Sequence, residues 1–247
     1  MKSLDATRIR AVVRKELRDY RRKRAIVVTM AVLPILFLVE PVVTIFVVPP
    51  ALSGSSLGHS LVLPILYLLL IPTVMPSTLA AYSVAGEREQ GTLEPLLTTP
   101  IRQGEFIVGK ATAVLIPTMI AAYAVFGLFL AAVALFAQPA IATAFFQQGP
   151  VLLALFLLAP LLASWAIVIG MGISVRATEV RVAQQLGTLA SFPPVVVILL
   201  LAVGVLHPTF ALALEFAAAL LVLDLFALRL ISGMFDRERL VTGVKAS

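Results

Sequence analysis

Residues 86–110 read GEREQGTLEPLLTTPIRQGEFIVGK and form the only extended polar segment in the middle of this chain. Long apolar runs flank this segment on both sides, at roughly residues 61–85 and 111–137. A helix that spans a bilayer needs about 20 apolar residues, so each of these runs is long enough to cross one. The sequence therefore predicts one charged loop between two membrane spans, and that loop is the first candidate for contact with a partner.

The composition of the whole chain agrees with a membrane protein. Its 247 residues are 60% hydrophobic and only 13% charged, more apolar surface than a soluble domain of this size could bury. The runs are continuously apolar and lack the alternation of an outer-membrane barrel. We therefore predict an all-α integral membrane protein with six transmembrane helices. The six apolar runs lie at about 25–49, 61–85, 111–137, 150–173, 188–206 and 208–231.

The basic residues predict the orientation of these spans. Ten of the 19 Lys and Arg residues lie in residues 1–24, and the first, third and fifth connections contain none. Because cytoplasmic loops carry the excess of Lys and Arg, both termini and the 86–110 loop are predicted to be cytoplasmic. The apolar run after the basic leader is longer than the 7–15 residues of a signal-peptide core, so we expect it to remain as the first span.

The leader, residues 1–24, carries a net charge of +7 from ten basic and three acidic groups. Its apolar residues recur at helical spacing, which predicts an amphipathic helix in the headgroup region, distinct from the transmembrane body at 25–247. Anionic membrane lipids are the partner that this charge favours, and the adjacent span argues against nucleic acid. A second contact with a cytoplasmic partner stays open. The apolar residues are Ile9, Val12, Val13, Leu17 and Tyr20.

Within the polar loop, the sequence predicts a short surface helix. Gly91 is expected to end the helix that leaves the second span, and Thr92 is a good N-cap for a new one. Leu93, Leu96 and Leu97 would share one face of that helix, surrounded by charged residues. Such a patch is typical of a protein-binding surface; the alternative is a solvated loop whose leucines fold back onto lipid headgroups.

The loop resembles the signature of the type-2 ATP-binding-cassette (ABC) transporter permeases. In that family an acidic E-x-E-x-GT-L-E-x-LL-x-TPI run follows the second span, and E-F-x-x-GK opens the third. The basic leader, the six spans and the cytoplasmic termini agree with the resemblance. The matching residues are Glu87, Glu89, Gly91, Thr92, Leu93, Glu94, Leu96, Leu97, Thr99, Pro100 and Ile101, followed by Glu105, Phe106, Gly109 and Lys110.

The resemblance implies a function and a set of partners. The chain would be the permease subunit of an ATP-driven exporter in the cell membrane of a prokaryote, with no catalytic residue, cofactor or metal of its own. Two copies of a separate cytoplasmic ATPase would drive it, and a second permease chain, identical or paralogous, would complete the transport path. The implied ATPase-coupling residues are Glu87, Glu89, Gly91, Thr92, Leu93, Glu94, Leu96, Leu97, Thr99 and Pro100.

Two other patterns do not predict a site. Residues 104–110 fit the nucleotide-binding pattern G-x-x-x-x-G-K, but Ala111 follows where the pattern needs a hydroxyl for Mg²⁺. No strand is predicted before it to form a phosphate cradle. His59 and His207 lack the further ligands that a metal site requires. We therefore expect ATP to bind to another polypeptide and no metal to bind here.

Three acidic residues lie inside predicted spans, each at a cost of about 2.5–3.5 kcal/mol at a helix centre. Glu40 and Glu215 fall at similar depth in the outer half of the membrane. We expect both to face a polar cavity or a helix interface, either in the translocation path or in interhelical hydrogen bonds and shared protonation. Asp224 is expected to pair near the inner surface with Arg229 or a leader arginine.

Other functions remain open at this point. An ion-coupled secondary transporter or channel would use Glu40 and Glu215 as carriers. A membrane-embedded lipid enzyme would need a catalytic constellation that the 86–110 loop does not contain. A membrane anchor that merely recruits an ATPase is the third alternative.

Small residues and prolines predict two features of the later helices. Ala159, Ala163 and the glycines of residues 170–172 predict a close-packed fourth helix. Pro193 and Pro194 predict a broken fifth helix, which leaves no room for the extracellular element that some family members carry between spans five and six.

Overall fold

The computed structural model describes residues 5–47, 55–91 and 102–232 of the chain. Within these ranges the regular structure consists of eleven α-helices and no strand. Six helical stretches are long and apolar enough to cross a membrane, which confirms the predicted all-α fold with six spans. These stretches are Ile26–Val47, Ser60–Glu89, Gly104–Phe136, Gly149–Arg176, Val180–Leu201 and Phe210–Ile231.

Several spans are assembled from more than one helix. The second span contains α3, α4 and α5, and the fifth contains α9 and α10, while α1 precedes the first span and α7 links the third and fourth. In chain order the helices are α1 (Ala6–Arg22), α2 (Arg24–Val47), α3 (Ser55–Tyr67), α4 (Leu70–Ala81), α5 (Ala85–Glu89), α6 (Gln103–Phe136), α7 (Pro139–Phe146), α8 (Gly149–Arg176), α9 (Val180–Ala190), α10 (Pro193–Ala202) and α11 (Phe210–Ser232).

The predicted break in the fifth span is confirmed. The helix stops at residues 191–192, and Pro193 and Pro194 occupy the first turn of α10, where a missing N–H costs little. After α10 the chain reaches α11 through residues 203–209 without a further helix. The hydroxyl of Thr209 accepts a hydrogen bond from the Leu212 N–H at 3.1 Å and so caps the start of α11.

Helices α4 and α8 form the centre of the bundle. Nine of the twelve residues in α4 are buried, so neighbouring helices surround it on all sides. Ala159 and Ala163 of α8 are fully buried. A Cβ atom on Gly170 would lie 2.8 Å from the Cβ of Ala80, closer than real Cβ contacts allow. The predicted close packing of the fourth span is therefore confirmed.

Two helices extend beyond the predicted apolar runs. The helical stretch of the third span begins at Gly104, ahead of the predicted start near residue 111, and that of the fifth begins at Val180, ahead of the predicted start near residue 188. Each added segment contains a charged residue, Lys110 in the third span and Arg181 in the fifth. The fold accommodates these charges, since Lys110 is buried against other helices and Arg181 lies on the exposed side of α9.

Helix α6 is longer than a span requires. Its 34 residues extend over about 50 Å, whereas the hydrocarbon core is about 30 Å thick, so α6 projects beyond it. The amphipathic leader is confirmed as a helix, α1, and packs against the first turns of α6. A separate apolar cluster joins these elements, built around Tyr20, Ile26, Val84 and Phe106. One end of the bundle thus brings together α1, α5, the start of α6 and the end of α8.

Candidate functional site

The predicted ATPase-coupling residues fall partly within the described chain. Glu87, Glu89 and Gly91 are described, and they close the second span. The candidate site therefore consists of the side chains that hold the two ends of the loop, at Gly91 and at Arg102. The other predicted coupling residues lie outside the described residues, namely Thr92, Leu93, Glu94, Leu96, Leu97, Thr99 and Pro100.

Helix α5 ends as the sequence predicts. Gln90 is its C-cap, and Gly91 follows with a φ of +65°, in the left-handed region that favours glycine. The Gly91 N–H donates to the carbonyl of Arg88 at 3.1 Å. The prediction that Gly91 terminates this helix is confirmed, and the chain turns sharply where the polar loop begins.

Four charged side chains from three helices form a compact group, which we call the ion cluster: Lys15, Glu16, Glu87 and Lys110. Lys110 Nζ lies 2.9 Å from Glu87 Oε1 and 3.1 Å from Glu16 Oε1. Lys15 Nζ lies 2.8 Å from Glu87 Oε1 and 3.0 Å from Glu16 Oε1. The Lys110 side chain is only 1% exposed, whereas that of Lys15 is 43% exposed. The ion cluster therefore links α1, α5 and α6 through alternating charges.

The surroundings of the ion cluster shift the pKa values of its α1 residues. Burial alone would raise the pKa of Glu16, but the ammonium groups of Lys110 and Lys15 outweigh it and hold that pKa below its usual value. Burial alone would lower the pKa of Lys15, but Glu16 and Glu87 outweigh it and raise that pKa well above the ordinary range. Burial, followed by the carboxylates of Glu16 and Glu87, raises the pKa of the Tyr20 hydroxyl. Glu16 and Lys15 therefore stay charged at neutral pH.

The E-F-x-x-GK motif at the start of α6 is the surface on which α1 rests. A Cβ atom on Gly109 would lie 2.8 Å from the Cβ of Val12, so α1 approaches α6 as closely as only glycine permits. The buried Glu105 carboxylate accepts a hydrogen bond from the Asp5 N–H at 3.1 Å and from the Arg102 N–H at 2.9 Å. Glu105 thus fastens the start of α1 to the point where the polar loop re-enters the bundle.

The structure also explains the nucleotide-like pattern at residues 104–110. These residues belong to the continuous helix α6, whereas a phosphate cradle requires a loop whose N–H groups point at the ligand. Lys110, which such a site would need, is buried in the ion cluster with its Nζ 5.0 Å from the ring centroid of Phe106. The pattern therefore serves helix packing.

Helix α5 also holds the connection between α8 and α9. Arg88 donates from Nη1 to the Ala177 carbonyl at 2.8 Å and from Nη2 to the Val175 carbonyl at 3.0 Å, at the C-terminus of α8. These carbonyls have no partner within the helix, so the guanidinium satisfies them. Glu89 Oε1 accepts a hydrogen bond from the Val180 N–H at 2.7 Å, at the first residue of α9. Two adjacent residues of α5 thus bind both sides of one connection.

Ser174 of α8 stabilises the break between α4 and α5. Its hydroxyl donates to the Ala81 carbonyl at 2.6 Å and accepts hydrogen bonds from the Val84 N–H at 3.1 Å and the Ala85 N–H at 2.9 Å. A hydroxyl has one donor and two acceptor positions, so all three are used. Ser174 therefore satisfies backbone groups that the interrupted helix leaves without partners.

We expect Ser174→Ala to lower the melting temperature of the purified chain by at least about 5 °C. The substitution leaves two N–H groups and one carbonyl buried without this partner, at a cost of about 1–3 kcal/mol for each group. Ser191→Ala is the matched control, because its hydroxyl donates only to the Gly187 carbonyl of its own helix, at 2.7 Å. Equal melting temperatures for the two variants would contradict this role of Ser174.

The structure places the three intramembrane acids in different surroundings. The hydroxyl of Thr44 donates to Glu40 Oε1 at 2.9 Å on α2, and Glu215 is exposed on α11. Asp224 is 3% exposed, and neither of its oxygens contacts a charged partner among the described residues, so its predicted pairing is wrong. Asp224 faces inward, while Arg229, five residues further, is rotated by about 140° and exposed. The translocation-path role of Glu40 and Glu215 stays a prediction.

Sequence reasoning missed several residues of this site, although one signal was present. Glu16 stands at helical spacing between Val12 and Tyr20, in the middle of the apolar stripe of α1. An acidic residue in such a stripe indicates a buried partner of opposite charge. No comparable signal marks Arg88 or Ser174, because both bind backbone groups about 90 residues away.

The helices and the contacts at this end of the bundle define a multi-pass helical membrane protein. The family model described as "ABC-2 family transporter protein" matches residues 10–235, from α1 to beyond α11. The chain therefore belongs to this family of ABC transporter permeases and is a membrane transport component, as the resemblance implied. Permeases of the family generally pair with an ATPase subunit. No curated protein matches the chain.

Proposed function

We propose that this chain is the permease subunit of an ABC exporter and that a separate ATPase docks at the end of the bundle that carries the ion cluster. The family assignment supports the transport function. One observation supports the proposed coupling between the ATPase and the spans: α5, which immediately precedes the leucine-bearing loop, contacts α1, α6, α8 and α9. This makes α5 the element through which movement of the loop would reach the spans.

The two ends of the loop are held by different contacts. At Gly91 the chain leaves α5, whose Glu87 binds Lys110 and Lys15 and whose Arg88 binds the end of α8. At the other end of the loop, the Arg102 N–H donates to the Glu105 carboxylate, which also accepts a hydrogen bond from the Asp5 N–H at the start of α1. Closure of an ATPase dimer against the loop would therefore move α1 and α6 together with α8 and α9. Such a movement would switch the proposed transport path between inward-open and outward-open states.

The predicted coupling residues then divide into two roles. Glu87 is 6% exposed and bonded within the chain, and Glu89 binds the start of α9, so both would hold α5 in place. Leu93, Leu96 and Leu97 would supply the apolar contact with the ATPase. The remaining predicted residues, Thr92, Glu94, Thr99 and Pro100, would shape and border this short helix.

The same proposal includes orientation and assembly. The basic residues of α1 and the loop lie at the ion-cluster end, which supports a cytoplasmic location for this end and both termini, in the cell membrane of a prokaryote. Gln185 is exposed on α9 and Glu215 on α11, within spanning stretches, where lipid contact is unfavourable. A second permease chain or a polar transport path would cover them. Two ATPase copies, one for each permease, complete the proposed complex.

Purification of the tagged chain from native membranes tests this function. We expect an ATPase to copurify, and we expect the complex in proteoliposomes to accumulate substrate only with hydrolysable ATP. If the chain alone supports flux driven by an ion gradient, and if Glu40→Gln or Glu215→Gln abolishes that flux, the ion-coupled alternative is correct. The family assignment does not favour that alternative. Wild-type transport in both glutamine variants would exclude Glu40 and Glu215 from the translocation path.

A further inference from the structure

Helix α1 carries a second charged surface, on the side opposite its buried residues. Five exposed arginines occupy an arc of about 120°, while the buried residues Val12, Glu16 and Tyr20 occupy the opposite side. We call these five residues the arginine arc. They are Arg10, Arg14, Arg18, Arg21 and Arg22.

The arginine arc forms no ion pair within the described part of the chain, and Asp19, which lies beside the arc, pairs with Lys15. The ion pairs of the described residues use Arg8, Lys15 and Lys110 as cations, and none uses an arginine of the arc. Like charges spaced three and four residues apart on a helix repel one another. An anionic ligand that binds the arc would therefore remove an unfavourable interaction within α1.

The arginine arc borders a groove of about 710 Å³. The five arginines line this groove together with the apolar side chains of Val13 and Leu17, which are half-buried. A ligand that fits has an anionic group next to an apolar part, as a phospholipid has. Among the described residues, no aromatic side chain lines the groove, whereas single-stranded nucleic acids are held by stacking of their bases on aromatic rings.

The contacts of α1 place this groove near the membrane surface. Two contacts between α1 and α6 are compared, Asp5 with Glu105 and Glu16 with Lys110. On α1 these contacts are 11 residues apart, or about 16 Å along the helix axis. On α6 the same two contacts are only five residues apart, or about 7 Å along the helix axis. Helix α1 therefore crosses the spanning helix α6 at a steep angle and runs closer to the membrane plane. Its end leads directly into α2, the first span.

We propose that the arginine arc binds the headgroup of an anionic phospholipid from the leaflet next to the ion cluster. Guanidinium groups bind a phosphate through paired hydrogen bonds, and Val13 and Leu17 contact the adjoining glycerol and acyl region. Because Glu16, on the buried side of α1, contacts Lys110 of α6, a lipid bound on the other side holds α1 against the bundle. The lipid site depends on the position of α1 at the membrane surface and not on the proposed ATPase docking.

The test measures lipid binding to the full chain, purified in detergent, by native mass spectrometry. The probes are dioctanoyl-phosphatidylglycerol, dioctanoyl-phosphatidylcholine and inorganic phosphate. We expect the phosphatidylglycerol to be retained in preference to the phosphatidylcholine. Arg14→Gln with Arg18→Gln should weaken that binding by about tenfold or more, since each basic residue near the surface contributes to the attraction. Arg14→Lys with Arg18→Lys should restore part of the affinity, because it keeps the charge and loses the paired hydrogen bonds.

Arg176→Gln with Arg181→Gln is the matched control. Both arginines are exposed and lie outside α1, and their substitution removes the same charge as the α1 double variant. It should leave the phosphatidylglycerol affinity unchanged. Equal losses in both double variants, or no loss in the α1 variant, would overturn the proposal. So would competition by inorganic phosphate at the concentration of the lipid. If Arg14→Gln with Arg18→Gln retains phosphatidylglycerol but no longer binds the ATPase, the arginine arc binds protein instead of lipid. If this variant loses only the lipid and still binds the ATPase, the proposed function is unaffected.

Discussion

Lys110→Met is expected to destabilise the chain by about 3 kcal/mol and to release α1 from the bundle. Lys110 is the fully buried cation of the ion cluster, and removal of one partner of a buried ion pair typically costs about 3–5 kcal/mol. Lys15 still contacts Glu16 and Glu87, so the lower part of that range applies. We expect the melting temperature of the purified chain to fall by about 6–12 °C. Trypsin should also cleave the arginine-rich α1 more rapidly.

Two further variants separate this effect from a general loss of charge. Lys15→Met removes the same charge from the same carboxylates, but the Lys15 side chain is 43% exposed, so water replaces much of its contribution. Its effect should be clearly smaller. Glu16→Gln combined with Lys110→Met leaves Glu87 paired with Lys15 and should recover part of the lost stability. The account is wrong if Lys15→Met and Lys110→Met lower the melting temperature equally.

The six spans could be predicted because each contains a continuous apolar run of nearly bilayer thickness. The same criterion did not predict that the helices of the third and fifth spans begin earlier, at Gly104 and Val180. Hydropathy treats a charged residue as solvent-exposed, whereas the fold buries Lys110 between two carboxylates. A boundary of this kind depends on the neighbours of the residue, which a window along one sequence does not contain.

The ion pairs of the ion cluster could not be predicted from the sequence. Lys15 and Glu87 are 72 residues apart, and Glu16 and Lys110 are 94 apart, so their pairing depends on how α1 folds back onto α6. The resemblance selected Glu87 and Lys110 as parts of two motifs. The structure shows that Glu87 and Lys110 contact each other directly and that each also contacts the leader helix. The contribution of Glu105 and Gly109 to the same contact also becomes clear only when α1 is in place.

The combination of Leu93→Asp and Leu97→Asp is expected to abolish association with the ATPase while leaving the permease intact. Burial of a leucine contributes about 1.5–3 kcal/mol, so loss of two contacts alone weakens binding by at least about 100-fold. Two carboxylates brought into an apolar groove would weaken it further. Pull-down of the ATPase by the tagged permease, followed by ATP-dependent transport in proteoliposomes, measures the effect.

The control is Leu93→Met with Leu97→Met, which keeps both side chains apolar and similar in volume, and should retain association. The aspartate variant should insert into the membrane and melt like the wild type, because α5 and α6 are held by Glu87, Arg88 and Glu105 outside the substituted stretch. Normal melting with lost association separates docking from folding. Normal association of the aspartate variant would show that the ATPase binds elsewhere, and the proposed role of this loop would then be wrong.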